Sequence, residues 1–468
     1  MRQFAAFSLF IFCLPVGAEV HSSDFTEPWQ IYAHGLLRDS VAFRSVHGEK
    51  QVVPFTEFLA NEFIEAGFPV EDVRVLPMDS AGEPSASLVV RYRGTSKKRP
   101  ILFAAHMDVV PATATAWDRD PFKLSEDDGF YYGRGVLDDK YGITVLTTTF
   151  LRLMSEGFEP ERDLIIAFSG DEETEQLTIK SLTKNHLDLI DADIAFNVDV
   201  GFGRLDKQFN PAAIFLQFAE KTYVTFEFSA SNAGGHSSKP PPENAIADLA
   251  RAITAIHEYD FPVRSSDDSR AYFAAMSDFV DNELGDAMRR FAENPDDKEA
   301  SDYLSNDPEY VGIVRTTCVP TMLRGGHVEN ALPESATVTV NCRVYPGDEI
   351  SDVQSTLKRI IDDPDITHVM LGDPVASPPS SVRDEISSLV ESVIHRQFPE
   401  VKVIPYIAPY GTDGIYLRRA GITTYGLNGV FLRAEDEHLH ASNEKLPIKS
   451  FFESLEFWYG LIKDASGL

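Results

Sequence analysis

Three apolar segments of the chain run directly into imidazole or carboxylate side chains, and this pattern restricts the possible folds more than any other feature. The segments and the side chains that follow them are Ile101–Ala105 with His106, Leu164–Ser169 with Asp171, Glu172 and Glu173, and Ile194–Val198 with Asp199. Short, continuous apolar runs are typical of strands buried on both faces. Ligands bind at the carboxyl ends of strands in open α/β sheets, so we expect these side chains to share one edge.

The spacing of apolar residues changes along the chain and predicts two kinds of domain. Up to residue 216, helix-spaced segments alternate with apolar strands, which favours an α/β domain with a mixed sheet. From 217 to 372, alternating strands such as Tyr223–Ser231 and helices such as Asn244–His257 suit a smaller ferredoxin-like α+β domain. The α/β pattern returns from 373 to 468. The sequence therefore predicts an α/β domain, residues 19–216 and 373–468, interrupted by a smaller one at 217–372.

Residues 1–18 have the pattern of a cleaved secretory signal peptide. Arg2 is the basic start, Phe4–Leu14 the apolar core and Val16-Gly17-Ala18 the cleavage site. No later run is apolar and long enough to span a membrane. We expect a periplasmic or secreted protein without stable membrane association. Cys318 and Cys342 could then pair in an oxidising compartment, but the sequence does not fix the distance between them.

The formal charge of −31 over 468 residues is the unusual feature of the composition. Nucleic acids and anionic membrane surfaces would repel such a chain, so neither is expected as a partner. Two explanations remain open for the charge: a solvated acidic surface suited to a salty environment, or a surface that attracts basic substrates.

Five short segments supply side chains that bind metals or activate water. They are AAHMD (His106, Asp108), GRGVLDDK (Asp138, Asp139), GDEE (Glu172, Glu173), NVD (Asp199) and HASNE (His440). Each has an ordinary explanation by itself, such as acids at a helix N-terminus or a surface histidine. Their joint occurrence, several of them at strand ends, favours a site for two zinc ions, with one carboxylate left over. Paired ions that share a hydroxide and polarise a carbonyl predict hydrolysis.

In this order the segments resemble the zinc-dependent exopeptidase and amidohydrolase family of glutamate carboxypeptidase, acetylornithine deacetylase, aminoacylase and carnosine-type dipeptidases. The resemblance covers nearly the whole chain after residue 18. It implies that one Zn²⁺ is held by His106, Asp138 and Asp199, and the other by Asp138, Glu173 and His440. Co²⁺ or Mn²⁺ are expected as substitutes. It also implies a zinc-exopeptidase catalytic domain with an inserted lid or dimerisation-type domain.

The resemblance assigns further roles around the metals. Glu172 matches the general base, and Asp108 the residue that backs His106. The family's last histidine stands just upstream of Asn-Glu, which selects His440 over His438. A strained peptide bond is expected after the bridging aspartate, between Asp138 and Asp139.

The predicted smaller domain carries its own matches to the family. His236 in GGHSS matches a histidine that assists the substrate carbonyl, and Asn330 and Arg343 match substrate-binding positions. Without the family, an ordinary turn and a surface arginine would explain these residues. In dimeric relatives the histidine reaches the other subunit's site, so a homodimer is possible.

Two departures from the family pattern stand out. Thr174-Glu175 follows the paired glutamates where many relatives have two glycines, and GTDGIY places Ile415 where relatives often have a carboxylate-binding arginine. Recognition of a substrate carboxylate therefore falls to Arg343, or to Arg418, which is expected one helical turn past Ile415.

These observations predict a secreted or periplasmic dizinc hydrolase that cleaves an amide bond of a small peptide, as a carboxypeptidase or dipeptidase. The first alternative is an N-acyl amino acid amidohydrolase, which uses the same metal chemistry with a different acyl pocket. The second is a non-catalytic binding protein that kept the fold, against which the intact Glu172 argues because binding alone needs no general base.

Overall fold

The computed structural model describes residues 20–280 and 282–468. The expected signal peptide, residues 1–18, lies outside the described residues. Among the helices of the described ranges, none combines the length and apolarity needed to cross a bilayer.

Helices and strands alternate through most of the described chain. The helices are α1 (Pro28–Ala42), α2 (Val52–Glu65), α3 (Lys140–Ser155), α4 (Leu177–Asn185), α5 (Leu187–Ile190), α6 (Ala245–His257), α7 (Asp267–Met276), α8 (Glu283–Glu293), α9 (Lys298–Ser305), α10 (Val311–Val314), α11 (Ile350–Ile361), α12 (Asp384–Ile394), α13 (Gly414–Arg419) and α14 (Ile448–Ala465). The strands are β1 (Val73–Ser80), β2 (Glu83–Tyr92), β3 (Ile101–His106), β4 (Ser125–Asp127), β5 (Phe130–Tyr132), β6 (Leu164–Ser169), β7 (Ile194–Asn197), β8 (Gly203–Leu205), β9 (Pro211–Glu220), β10 (Thr222–Ser231), β11 (Gly235–His236), β12 (Thr317–Gly325), β13 (Ala331–Leu332), β14 (Ser335–Val344), β15 (Thr367–Leu371), β16 (Lys402–Ala408), β17 (Thr423–Gly426), β18 (Phe431–Leu432) and β19 (Lys445–Pro447).

A ten-stranded mixed sheet forms the centre of the larger body. Its order is β1-β2-β6-β3-β7-β17-β9-β8-β18, with β16 pairing with β9. The strand β3 lies between β6 and β7 and runs parallel to both. Alternate residues of β3 enter different cores: Phe103 packs with α1, α2, α3, α12 and α14 on one face, and Leu102 with α4 and α13 on the other. The α/β class with a mixed sheet is confirmed.

The smaller sheet has the order β12-β14-β10-β15, and each of its pairs is antiparallel. With α6 and α11, its strands follow one another as β-α-β-β-α-β, which is the ferredoxin-like arrangement. Val338, Val340, Cys342 and Val344 alternate along β14 into the core under these two helices. The predicted ferredoxin-like part is therefore present.

A helical segment, α7 to α10, separates α6 from β12 and packs on the larger body. Phe273 and Phe291 from these helices share a core with Phe215 of β9 and Ile404 of β16. Most of the residues from 267 to 314 thus cover the edge of the large sheet rather than the small one. The domain boundaries at 216/217 and 372/373 stay a prediction.

Candidate metal centre

The parallel pairing of β3 with β6 and β7 brings the predicted side chains to one edge of the large sheet. His106 ends β3, Glu172 and Glu173 follow the end of β6, and Asp199 follows the end of β7. Each strand is buried throughout its length. Because neighbouring parallel strands end at the same edge, residues far apart in sequence converge there.

Asp138 lies between the two imidazoles, with one carboxylate oxygen directed to each. Its Oδ1 is 2.9 Å from Nε2 of His106, and its Oδ2 is 3.1 Å from Nε2 of His440. His106 Nε2 is also 3.4 Å from Oδ1 of Asp199, and His440 Nε2 is 3.0 Å from Oε1 of Glu173. The five predicted ligands thus form two groups of three that share Asp138.

The spacing of these atoms fits divalent cations. Ligand atoms about 2.0–2.2 Å from a tetrahedral zinc lie roughly 3.3–3.5 Å apart. The nitrogen–oxygen distances in the two groups are 2.9 and 3.4 Å, and 3.1 and 3.0 Å, so a small outward shift of the side chains would admit an ion. Without a cation between them, the imidazole N–H groups of His106 and His440 meet these carboxylate oxygens as hydrogen-bond donors; a bound cation would take the place of those protons. The donors, one imidazole nitrogen with carboxylate oxygens in each group, are a type that zinc accepts. The identity of the metal stays a prediction.

The charges of the centre depend on one another. Hydrogen bonds to Asp138 and Glu173 raise the pKa of His440 to about 10. Burial disfavours the charged form of Asp138, but hydrogen bonds from His106 and His440 outweigh burial and lower its pKa. Burial raises the pKa of Glu173 to about 7. Neighbouring carboxylates keep their negative charge only when a positive charge lies close to them, and here the protonated histidines supply it.

Asp108 contacts both His106 and the paired glutamates. Nδ1 of His106 lies 3.0 Å from the backbone carbonyl oxygen of Asp108, and donation to that oxygen leaves Nε2 free for a metal. The carboxylate of Asp108 accepts hydrogen bonds from the backbone N–H groups of Glu172 (2.9 Å) and Glu173 (3.0 Å). Asp108 therefore holds the paired glutamates as well as the histidine.

Glu172 is the carboxylate left over from the two groups. It is partly buried, and Gln176 Nε2 donates to its Oε1 at 3.0 Å. Burial raises its pKa well above the ordinary value, and the charge of Asp199 adds to the increase. A raised pKa suits a group that both accepts and returns a proton near neutral pH.

Asp139 also lies among these side chains, but its oxygens are engaged elsewhere. Its carboxylate accepts from the backbone N–H of His106 (3.3 Å) and caps α3 by accepting from that of Gly142 (3.0 Å). The peptide bond between Asp138 and Asp139 is cis, at the position where the resemblance implies a strained bond. Asp139 is therefore better placed to orient the strand end and the helix than to bind a metal.

The buried pair Arg134 and Glu444 was not selected from the sequence, although both residues lie within the motif segments. Arg134 Nη2 donates to the backbone oxygen of His440 at 3.3 Å. Glu444 accepts hydrogen bonds from Arg134 Nη1 (2.6 Å) and from the backbone N–H groups of Gly135 (2.9 Å), Leu137 (2.9 Å) and Asp138 (3.1 Å). The pair joins the segment of Asp138 to that of His440 across more than 300 residues of sequence.

The structure places His440, and not His438, in the centre. His440 has a left-handed backbone conformation (φ 59°), which is uncommon outside glycine and concentrates at functional sites. Nε2 of His438 lies 3.1 Å from the backbone oxygen of Glu435 instead.

His236 and Asn330 are exposed and lie at a pair of short antiparallel strands, β11 and β13, that are far apart in sequence. They belong to the segment where β11 pairs with β13, and Ser237 N donates to the backbone oxygen of Asn330 at 3.0 Å. Arg343, on β14, is partly buried and its guanidinium lies 4.7 Å from the ring centre of Tyr223. Within residues 20–280 and 282–468, none of these three forms a hydrogen bond or ion pair with the centre.

Ile415 and Arg418, both on α13, are buried. Ile415 is buried in an apolar core with α4. Arg418 forms an ion pair with Glu220, and its Nη2 donates to Gln217 at 2.8 Å. Arg418 is therefore not free to bind a substrate carboxylate. Cys318 and Cys342, opposite each other on β12 and β14, form a disulfide.

Comparison with known proteins places the chain among metallopeptidases. A family model described as peptidase family M20/M25/M40 matches residues 102–464. The chain is 30% identical over 393 residues to the probable carboxypeptidase S-like 2 of Dictyostelium discoideum, an alignment that covers 81% of this chain and 74% of that protein. It is 28% identical over 379 residues to the N-fatty-acyl-amino acid synthase/hydrolase PM20D1 of Homo sapiens, covering 78% and 74%.

A solved structure shares the fold over most of the chain. The M20 family metallo-carboxypeptidase Sso-CP2 from Sulfolobus solfataricus superposes with a TM-score of 0.67 at 18% identity, covering 93% of this chain and 99% of that one. At this identity the likeness concerns the arrangement of the helices and strands alone.

Proposed function

This chain belongs to peptidase family M20/M25/M40, and from that premise we propose that it is a secreted dizinc hydrolase cleaving an amide bond of a small peptide, as a carboxypeptidase or dipeptidase. The observation that carries the proposal is Asp138, whose two oxygens lie between His106 and His440. As a member of the family it is a metallopeptidase or amidohydrolase, so the alternative of a non-catalytic binding protein is set aside.

The proposed ligands are His106, Asp138 and Asp199 for one ion, and Asp138, Glu173 and His440 for the other. When bound, two Zn²⁺ ions supply Lewis acidity that polarises the scissile carbonyl and lowers the pKa of a water molecule. Glu172 removes a proton from that water while the water oxygen forms a bond to the carbonyl carbon. It then delivers the proton to the amide nitrogen, so that the C–N bond breaks and the amine leaves neutral.

Arg343 is the proposed partner of the substrate carboxylate. Across the described residues its guanidinium forms no ion pair, whereas Arg418 is held by Glu220. A guanidinium that lacks an acidic partner is free to form charge-assisted hydrogen bonds with a carboxylate. Asn330 is proposed to bind the substrate as well.

The second candidate, hydrolysis of N-acyl amino acids, has its own support. The human relative is named as an N-fatty-acyl-amino acid synthase/hydrolase. In addition, Ile415 stands at the position where exopeptidase relatives often have an arginine. Both reactions break an amide bond beside a carboxylate, so the metal centre serves either.

We infer a homodimer from the position of His236. The side chain is exposed on β11 and, among the described residues, forms no hydrogen bond or ion pair with the metal centre of its own chain. A second subunit could therefore bring its His236 to the substrate carbonyl, where a donor stabilises the developing oxyanion. Mixing a His236→Ala variant with a Glu172→Gln variant, each of low activity, should restore part of the activity. No recovery in a mixture shown to contain heterodimers would contradict the exchange.

Secretion is supported by the disulfide between Cys318 and Cys342, because such bonds persist in oxidising compartments. The signal-like pattern at residues 1–18 points the same way. Finding the mature protein in the periplasm or medium, starting at Glu19, would support this; a reduced cytoplasmic protein starting at Met1 would contradict it.

The function is tested by hydrolysis of dipeptides and N-acyl amino acids with the mature protein loaded with Zn²⁺, Co²⁺ or Mn²⁺. We expect about two metal ions per chain by elemental analysis and loss of hydrolysis after chelation, restored by any of the three ions. His440→Ala should lower the metal content, whereas the matched His438→Ala should keep it. An active preparation without divalent metal would contradict the proposal.

A further inference from the structure

A large, partly open cavity of the described chain lies beside the metal centre. It has a volume of about 970 Å³ and is lined by β8, β9, the helical segment α7 to α10 and the loops after β16 and β18. This volume is at the upper end of the range usual for small-molecule sites, about 300–1,000 Å³. The proposed function has assigned no role to this cavity.

Aromatic side chains form much of the cavity wall. Phe215 of β9 lies 5.4 Å, centre to centre, from the ring of Tyr406 and 6.2 Å from that of Tyr272 on α7. Phe202, Tyr310 and Tyr410 extend this wall, and Leu205, Met276 and Ile313 add aliphatic surface. Aromatic and aliphatic walls of this kind gain free energy by burying apolar groups of a ligand.

Most of the charged side chains at the wall are paired with charges of opposite sign. Arg433 contacts Glu435 at 3.2 Å, Lys402 contacts Asp278 at 2.5 Å and Arg204 lies 3.8 Å from Glu437. Most of these charges are therefore balanced within the protein. A ligand that fills the cavity would meet the aromatic surface, and Asp206, Lys207 and Glu309 add further charged groups to the lining.

The cavity adjoins the metal centre through two segments. Gly201 lines it two residues beyond Asp199. Tyr410 lines it too, and the loop that follows reaches the end of β7, where Asn197 Nδ2 donates to Thr412 Oγ1 at 3.2 Å. Burial raises the pKa of Tyr410, and the negative charges of Glu437, Asp199 and Asp138 add to the increase.

The geometry points to a subsite: this cavity binds a large apolar group that the substrate carries next to its scissile amide. The inference rests on the proposed function, since it names the class of substrate which the same metal centre cleaves. A long acyl chain and an aromatic amino-acid side chain share this chemistry. Because α7 to α10 form part of the cavity wall, the preference for substrates with a large apolar group would depend on this helical segment and not on the metal ligands.

The test compares two substrate series in the metal-loaded enzyme. One is N-acyl-glycine from acetyl to dodecanoyl, and the other is a set of dipeptides in which glycine is replaced by leucine or phenylalanine. Each methylene that enters the cavity should raise kcat/KM by about fourfold until the cavity is filled. A rise in the first series alone assigns the cavity to an acyl chain, and a rise in the second alone assigns it to a side chain. A flat response in both overturns the inference.

Two variants of cavity residues and one control variant test whether the substrate preference comes from this cavity. Leu205→Trp fills part of the cavity, and Phe209→Asp places a charge at its mouth, where Phe209 is 61% exposed and dispensable for the core. Ile31→Asp, on α1 at 59% exposure, is the matched control. Both cavity variants should lower kcat/KM for the best apolar substrate by at least tenfold and leave the acetyl substrate within twofold. Equal losses on both substrates, or no loss on either, would overturn the inference.

Calorimetric titration keeps this test distinct from that of the proposed function. N-decanoyl-glycine should bind the wild-type protein at least tenfold more tightly than N-acetyl-glycine, and Leu205→Trp should remove the difference. If no amide is hydrolysed but this difference is found, the proposed reaction fails while the apolar site stands. Equal binding of both compounds to wild type overturns the site.

Discussion

Asp138 is the residue on which the arrangement of the centre depends most. Its two oxygens face His106 and His440, and its backbone N–H donates to Glu444 at 3.1 Å. The carboxylate is thus fixed from both ends: by the imidazoles in front and by the buried glutamate behind. Glu172 is not tied to either imidazole, which leaves it able to exchange protons.

Glu172→Gln tests this division of roles. The amide keeps the size of the side chain but cannot accept a proton from water, so turnover should fall by about 10²- to 10⁴-fold. Metal content should stay at the wild-type level, because Glu172 is outside both ligand groups. Steady-state kinetics and elemental analysis of the same preparation measure the two effects. Near-wild-type turnover would move proton transfer to another group.

Arg343→Ala tests recognition of the substrate carboxylate. Wild type should prefer a free-acid substrate over its amide, and the variant should lose most of this preference because the free guanidinium is gone. The measurement is kcat/KM on a matched acid and amide pair. Arg418→Ala is the contrast: it leaves the buried Glu220 unpaired and should cost about 3–5 kcal/mol of unfolding free energy while keeping the preference. Equal rates on acid and amide in wild type would refute the carboxylate requirement.

At the scale of elements, the loop from Arg134 to Asp138 and the segment around His440 are held as one unit. Glu444 accepts three hydrogen bonds from backbone N–H groups of the loop and forms an ion pair with Arg134. Arg134 also donates to the backbone oxygen of His440. Both side chains are almost fully buried. Since breaking one partner of such a pair leaves an uncompensated charge, the unit should respond as a whole.

Glu444→Gln should therefore weaken metal binding without touching a ligand. The amide nitrogen would face backbone donors, the loop would shift, and metal affinity should fall by about 10- to 100-fold, as for other residues that orient ligands. Competition with a fluorescent chelator measures the affinity. Glu175→Gln, at an exposed position beside the paired glutamates, is the control and should bind metal normally. Unchanged affinity in Glu444→Gln would show that Asp138 is held by other contacts.

At the scale of the whole molecule, the metal centre joins distant parts of the chain. Its proposed ligands come from the ends of β3 and β7, the loop after β6, the loop before α3 and the segment before β19. Six carboxylates lie near one another there, those of Asp108, Asp138, Asp139, Glu172, Glu173 and Asp199, so a cation should stabilise the folded state more than the unfolded one. The stability of the larger body then depends on metal.

Chelation should lower the thermal unfolding midpoint. At a free metal concentration of a thousand times the Kd, bound metal contributes about 4 kcal/mol to the folded state. Scanning calorimetry with and without chelator measures the difference, and added Zn²⁺ should restore it. His440→Ala should show a smaller decrease because one ligand group is already incomplete. An identical midpoint with and without chelator, in protein shown to lose its metal, would contradict the coupling.

The sequence by itself determined the local elements and the kinds of ligand. β3, β6 and β7 could be recognised because strands buried on both faces need continuous apolar runs, and the side chains that follow them are chemically distinct. The ferredoxin-like part followed from alternation along β10 and β14, since one face is buried and the other is not. The family pattern also selected His440 over His438.

Only the tertiary structure decided which distant groups meet. The pairing of Cys318 with Cys342, the burial of Arg418 against Glu220 and the contact of Arg134 with Glu444 each join segments whose separation in space has no signature in local periodicity. The cavity beside Tyr410 likewise exists because α7 to α10 pack on β9 and β16. The physical reason is that periodicity records which face of an element is buried, whereas the partner that buries it is set by the packing of the whole chain.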